Sequence, residues 1–156
     1  MDAQATAILR ALFERRTAAL GTLHEGAPFV SMVTYAMVGP AEAFVIHVSG
    51  LAAHTKDLRA DPRASLLVAA AEEPGGNALA LPRITLQGEA REIGPAVPGY
   101  GVAREAYLAR FPDAEPLFGF GDFALFGLVP ATARFVGGFG QAKTLTAAGL
   151  KKALEG

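Results

Sequence analysis

Residues 18–38, AALGTLHEGAPFVSMVTYAMV, decide the fold class. Two runs rich in apolar and β-branched residues flank Glu25-Gly26-Ala27-Pro28, so the stretch reads as two strands joined by a turn. A second turn, Gly39-Pro40-Ala41-Glu42, leads into a further strand over residues 43–49, AFVIHVS. Strand alternation puts Ala43, Val45, His47 and Ser49 on one face of it and Phe44, Ile46 and Val48 on the other.

Upstream, residues 2–17 predict a helix. Asp2 can cap it, and Ile8, Leu9, Leu12 and Phe13 form one apolar stripe. Downstream, LAAHTKDLRADPR (51–63) predicts a short helix that starts near His54 or Thr55 and stops at Asp61-Pro62, because a residue before proline is pushed out of the α region. Residues 64–71 read as a buried strand, 72–82 as a loop rich in breakers, and 83–93 as another strand. Residues 101–111 predict a helix ending at Pro112, followed by an acidic turn. Strands 120–129 and 132–139 are separated by Pro130, and Thr146 can cap a closing helix over 147–154. The expectation is a mostly β fold with flanking helices: six to seven antiparallel strands in a closed or partly closed barrel, as one domain over residues 1–156.

Composition agrees. The chain has 156 residues, 51% hydrophobic and 19% charged, which suits one domain with a real core. Size scaling predicts about 7,400 Å² of folded surface. The formal net charge of −1 argues against a nucleic-acid partner. The absence of cysteine excludes disulfides, thiolate metal sites and cysteine nucleophiles. The longest apolar run, residues 66–71, is too short to span a bilayer, and no signal peptide is visible, so a cytoplasmic protein with no membrane partner is expected. Three scattered histidines lack metal-ligand spacing, so no metal site is expected, and no nucleophile or general-base motif occurs.

The residues that could carry chemistry are Ser49, His54, Thr55, Lys56 and Arg83. The first ends a strand and the next three sit at a helix start, where exposed N–H groups, hydroxyls and a cation attract a phosphate dianion. Arg83 opens a strand just after a loop, so its guanidinium could reach the same anion. The ordinary reading of the same residues is capping hydroxyls, a surface histidine and solvated cations. His47 shares a face with Ser49 and could border a ligand, or could be a core histidine. His24, at a turn, reads as exposed.

The string SGLAAHTKDLRADPRASLLV (49–68), after PFVSMVTYA and before RITLQGEA, resembles the FMN-binding split-barrel superfamily, the pyridoxamine 5′-phosphate oxidase-like proteins, and within it the haem-utilisation branch. The resemblance implies a homodimer with two flavin sites at the subunit interface. It implies that Ser49, His54, Thr55 and Arg83, with Lys56, hold the FMN phosphate, and that Val30, Ser31, Met32 and Val33 lie along the isoalloxazine ring. Where relatives place basic side chains around the phosphate, this chain has Ala52 and Ala53. Gly137–Gly140 resembles the branch's last strand and its glycine-rich exit.

Three functions follow as expectations. The first is an FMN-dependent oxidoreductase or flavin reductase, in which the flavin carries the electron chemistry. The second is a haem-binding or haem-degrading protein. Some members of that branch use a C-terminal histidine as axial ligand, whereas the last histidine here is His54, so iron would draw on His24, His47, His54 or an exogenous ligand. The third is a non-catalytic dimer that kept the barrel without the cofactor.

Overall fold

The computed structural model describes residues 1–155. Strand β1 (Thr17–His24) turns directly into β2 (Ala27–Thr34). The turn is tighter than the sequence suggested. Glu25 and Gly26 both take positive φ, 50° and 82°, as a two-residue primed turn requires, so Ala27 and Pro28 already pair with His24 and Leu23. Proline is tolerated there because β2 is an edge strand. The chain breaks at Tyr35, and Ala36–Val38 becomes a separate strand, β3, paired with β4 (Ala43–Ser49).

The remaining strands are β5 (Arg63–Ala69), β6 (Arg83–Glu92), β7 (Phe123–Val136) and β8 (Ala142–Thr146). All pairs are antiparallel, in the order β2-β1-β5-β6-β7-β4-β3, with β8 added to β7. The expected antiparallel barrel with flanking helices is therefore present: seven strands make its path, and β8 is added beside β7.

Two corrections concern β7 and β8. Pro130 does not divide two strands. The register shifts between Gln87 and Gly88, and the resulting bulge absorbs the proline within one fourteen-residue strand. Gly88 permits this, because a Cβ there would collide with the Val129 carbonyl oxygen. Residues 137–141 form the turn into β8, with Gln141 N–H bonded to the Gly138 carbonyl at 3.1 Å and Gly140 at φ 73°; they are not the exit of a last strand.

Four helices flank the sheet: α1 (Ala3–Phe13), α2 (Ala53–Ala60), α3 (Tyr100–Arg110) and α4 (Ala147–Glu155). Asp2 caps α1 by accepting from Ala5 N–H at 2.8 Å, and Thr146 Oγ1 accepts from Gly149 N–H at 3.1 Å at the start of α4. The acidic turn after α3 is a 3-10 segment over Pro112–Gly119.

Alternation along β4 feeds two cores. Phe44, Ile46 and Val48 join Leu9, Leu20, Leu66, Leu86 and Phe126 in the larger one. Val45 joins Ala103, Tyr107, Phe111 and Leu125 under α3. Phe126 is buried in the larger core and Phe118 packs on the smaller, while Phe120 remains exposed. Among the described residues no helix is long and apolar enough to cross a membrane.

Candidate functional site

The turn from β4 into α2 is built by the site residues themselves. The Ser49 carbonyl accepts from Ala52 N–H at 3.1 Å and from the Thr55 hydroxyl at 2.6 Å. The Ser49 hydroxyl accepts from Leu51 N–H at 3.2 Å. Thr55 is fully buried, so its hydroxyl fastens the turn instead of facing a ligand. Asp61 N–H closes the other end of α2 on the Asp57 carbonyl.

The N-terminus of α2 has no side-chain cap. Ala52 holds the N-cap position in extended conformation and carries no group that could accept from the first turn. Its free N–H groups give this end a partial positive charge. Lys56, one turn in, is exposed and makes no ion pair among the described residues.

His54 reaches across to β2, where its Nδ1 lies 3.0 Å from Ser31 Oγ. Burial lowers its pKa, opposed by the charge of Asp57, so the imidazole is neutral near pH 7. Along β2, Ser31 and Val33 share the inward face, and Val33 is buried in the larger core. Val30 and Met32 point the other way and are 67% and 70% exposed. Phe29 and Leu51 are also exposed, Phe29 on the Ser31 face of β2 with its ring 5.6 Å from that of His24. The structure therefore brings Ser31, Ser49, His54 and Lys56 to one end of the barrel, next to an apolar strand edge.

Arg83 does not join them. Ser49 pairs with Phe123 at one end of β7, and Arg83 pairs with Val136 at the other. Ile84 and Leu86 fill the core, so alternation turns Arg83 to the outer face. There its guanidinium donates to the carbonyls of Leu81 at 2.9 Å and Leu79 at 3.3 Å, beside a cavity that Arg134 and Phe139 also line. Among the described residues no guanidinium bonds to the start of α2 from the adjacent strand. The other arginines of this region are occupied, Arg59 by Glu92 in a two-bond pair at 2.9 and 3.0 Å and Arg63 by Asp61.

His47 also lies elsewhere. It is buried on the face of β4 opposite Ile46 and Val48, stacked on Phe118 with ring centroids 3.9 Å apart.

The sequence reading missed the group that seats α2. The buried Asp57 carboxylate accepts from the Thr22 hydroxyl at 2.9 Å and lies 2.7 Å from His24 Nδ1. That hydrogen bond raises the His24 pKa. His24 is half exposed as its turn position suggests, but it is also tied to the helix. The one available signal was Thr22, a polar residue at an inward position of β1 between Leu20 and His24.

The profile of the pyridoxamine 5′-phosphate oxidase family matches residues 1–137. The chain belongs to that family. It is 38% identical over 119 residues to the non-canonical heme oxygenase HOZ, chloroplastic, of Arabidopsis thaliana, a stretch that covers 76% of this chain and 35% of that protein. It superposes on a heme binding protein from Mycobacterium smegmatis with TM-score 0.84 at 29% identity, covering 97% of this chain and 61% of the other. The chain thus spans about a third of the plant relative and about three-fifths of the mycobacterial one. HutZ, the heme storage protein of Vibrio cholerae, shares the fold, with TM-score 0.69 at 24% identity over 78% of this chain and 87% of that one. The resemblance to the haem-utilisation branch of the pyridoxamine 5′-phosphate oxidase-like proteins agrees with these relatives.

Proposed function

We propose that this member of the family binds haem at the α2–β2 end of the barrel, with His54 as the protein ligand to iron. His54 carries the reading. It is the one histidine set between a hydroxyl partner and an exposed apolar strand edge, and burial keeps it neutral, as a metal ligand must be. A hydrogen bond from Nδ1–H to Ser31 Oγ would leave the Nε2 lone pair free for iron and fix the ring. His24 is less suited, because its bond to Asp57 favours the protonated ring. His47 is enclosed among aromatics.

The surroundings suit haem better than FMN. A porphyrin needs apolar surface, which exposed Phe29, on the Ser31 face of β2, and Leu51, in the turn before α2, would offer. Its two carboxylates suit the uncapped start of α2 and Lys56. A flavin phosphate concentrates two charges on one group and favours a guanidinium fork, whereas Arg83 is held on the outer face by backbone carbonyls. The names of the plant and mycobacterial relatives point the same way. When bound, haem supplies the iron chemistry, and the protein orients it and tunes its ligand field.

A second copy of the chain covers the β2 edge in this reading. The chain exposes 8454 Å², roughly 1,000 Å² more than size scaling gives for a compact monomer of its mass. That excess is close to the roughly 800 Å² each partner contributes to a standard interface. Exposed Val30 and Met32 on an edge strand are the residues such an interface would bury.

The experiment is a hemin titration followed by the Soret band, in wild type and in His24→Ala, His47→Ala and His54→Ala variants. One haem per chain and a Soret shift lost only in H54A support the reading. A shift unchanged in H54A, or tighter binding of FMN than of hemin, overturns it.

A further inference from the structure

We propose that a cavity under the smaller core is a second ligand site, which takes an uncharged aromatic alcohol about the size of a naphthol and engages it through His47. The cavity measures about 330 Å³ and is lined by His47, Ile93, Tyr100, Phe118, Phe120 and Phe123. At the roughly 30 Å³ that each water takes in the liquid, it has room for about eleven waters, enough to admit two fused six-membered rings with one substituent. Four carbocyclic rings, Tyr100, Phe118, Phe120 and Phe123, stand in its walls, and flat rings pack on such groups face to edge or offset.

His47 makes the site more than a void. The side chain is only 9% exposed, and its Nδ1 is enclosed with no hydrogen-bond partner. Phe118 stacks on the ring at an interplanar angle of 8°, Tyr107 meets it edge-on at 5.6 Å and Phe123 lies 5.3 Å away, so the imidazole is clamped in place. No hydrogen bond to this ring occurs among the described residues, although buried polar groups are normally satisfied. A polar ring clamped among aromatic side chains beside an open cavity is how small-molecule pockets orient a ligand.

The chemistry of the ligand follows from the walls. Burial pushes the His47 pKa down to about 4, so at neutral pH the ring has one donor and one acceptor nitrogen. Nδ1 is sealed off, so a ligand hydroxyl would meet Nε2, which has no partner among the described residues and is not enclosed. Glu92 also lines the cavity, and its carboxylate disfavours an anionic ligand even while paired with Arg59. An uncharged phenol-class molecule satisfies all three conditions. None of the α2–β2 residues assigned to haem lines this cavity, so the proposal stands or falls separately from that reading.

The test uses the full-length chain and 2-naphthol, with naphthalene and 2-naphthoate as comparison probes. Calorimetry should give one 2-naphthol per chain, bound several-fold more tightly than naphthalene, with 2-naphthoate weaker than both. In a long-range proton–nitrogen spectrum the His47 imidazole resonances should move and those of His24 and His54 should stay. His47→Phe, which keeps the stack and removes the nitrogens, should weaken 2-naphthol about tenfold while leaving naphthalene within about twofold. No binding up to the solubility of 2-naphthol, equal affinity for naphthol and naphthalene, or movement of His54 instead of His47 would overturn the proposal. The spectrum and the naphthol-to-naphthalene ratio are read on wild type, so they decide even where H47F fails to fold.

Discussion

Replacing Asp57 by alanine should loosen the helix that carries His54. The carboxylate is 4% exposed and ties α2 to β1 through Thr22 and His24. The Thr22 bond is buried and made to a charged acceptor, a kind worth about 1.5–3 kcal/mol. The His24 contact is half exposed, and solvent screening leaves it a minor contributor. The expected loss is therefore about 2–3 kcal/mol. For a chain of this length each kcal/mol lowers Tm by about 2–4 °C, so Tm should fall by about 4–12 °C. Urea denaturation followed by circular dichroism, at one protein concentration and neutral pH, measures the loss, and the m-value should not change. Thr22→Val should cost less alone, and the double variant should show a coupling of about 1 kcal/mol or more. A D57A loss below about 0.5 kcal/mol, or additive single changes, would refute the view that this carboxylate fastens α2.

Other consequences are checked with the same methods. The folded pKa of His24 is raised, so the stability from its pair with Asp57 is complete below the unfolded value near 6.5 and is lost as pH rises through the raised value; D57A should abolish this dependence, as seen in denaturation curves across pH 6 to 9. The folded pKa of His47 is lowered to about 4, so its contribution has the opposite sign: stability is complete above about pH 6.5 and declines as pH falls towards 4, and H47F should flatten that decline. Gly88→Ala drives a Cβ into the Val129 carbonyl and should cost about 2 kcal/mol or more by distorting the β6–β7 bulge, measurable as a drop in Tm.

Most of the barrel is legible in the chain because its signals are local. The alternation of AFVIHVS, the stop at Asp61-Pro62 and the cap at Thr146 act within a few residues, and β4, α2 and α4 lie where those signals put them. Pro130 misled because its effect depends on Gly88 across the sheet, a partner forty-two positions away in sequence. β8 was hidden because AKTLT is a short, exposed edge segment with little apolar alternation. In the candidate site, the turn at Ser49 and the start of α2 follow from the same local logic. Arg83 did not follow, since its face and its end of the sheet are set by strand register. Asp57 escaped notice for a related reason: a charged residue on an exposed-looking helix declares itself buried only when Thr22 and His24 are seen beneath it.

The choice between haem and flavin is tested most directly by equilibrium dialysis of the purified chain against equimolar hemin and FMN, with each ligand measured by its absorbance on both sides of the membrane. The account predicts that hemin accumulates with the protein at one per chain while FMN equalises across the membrane. Retention of FMN at one per chain with hemin distributed evenly would contradict it.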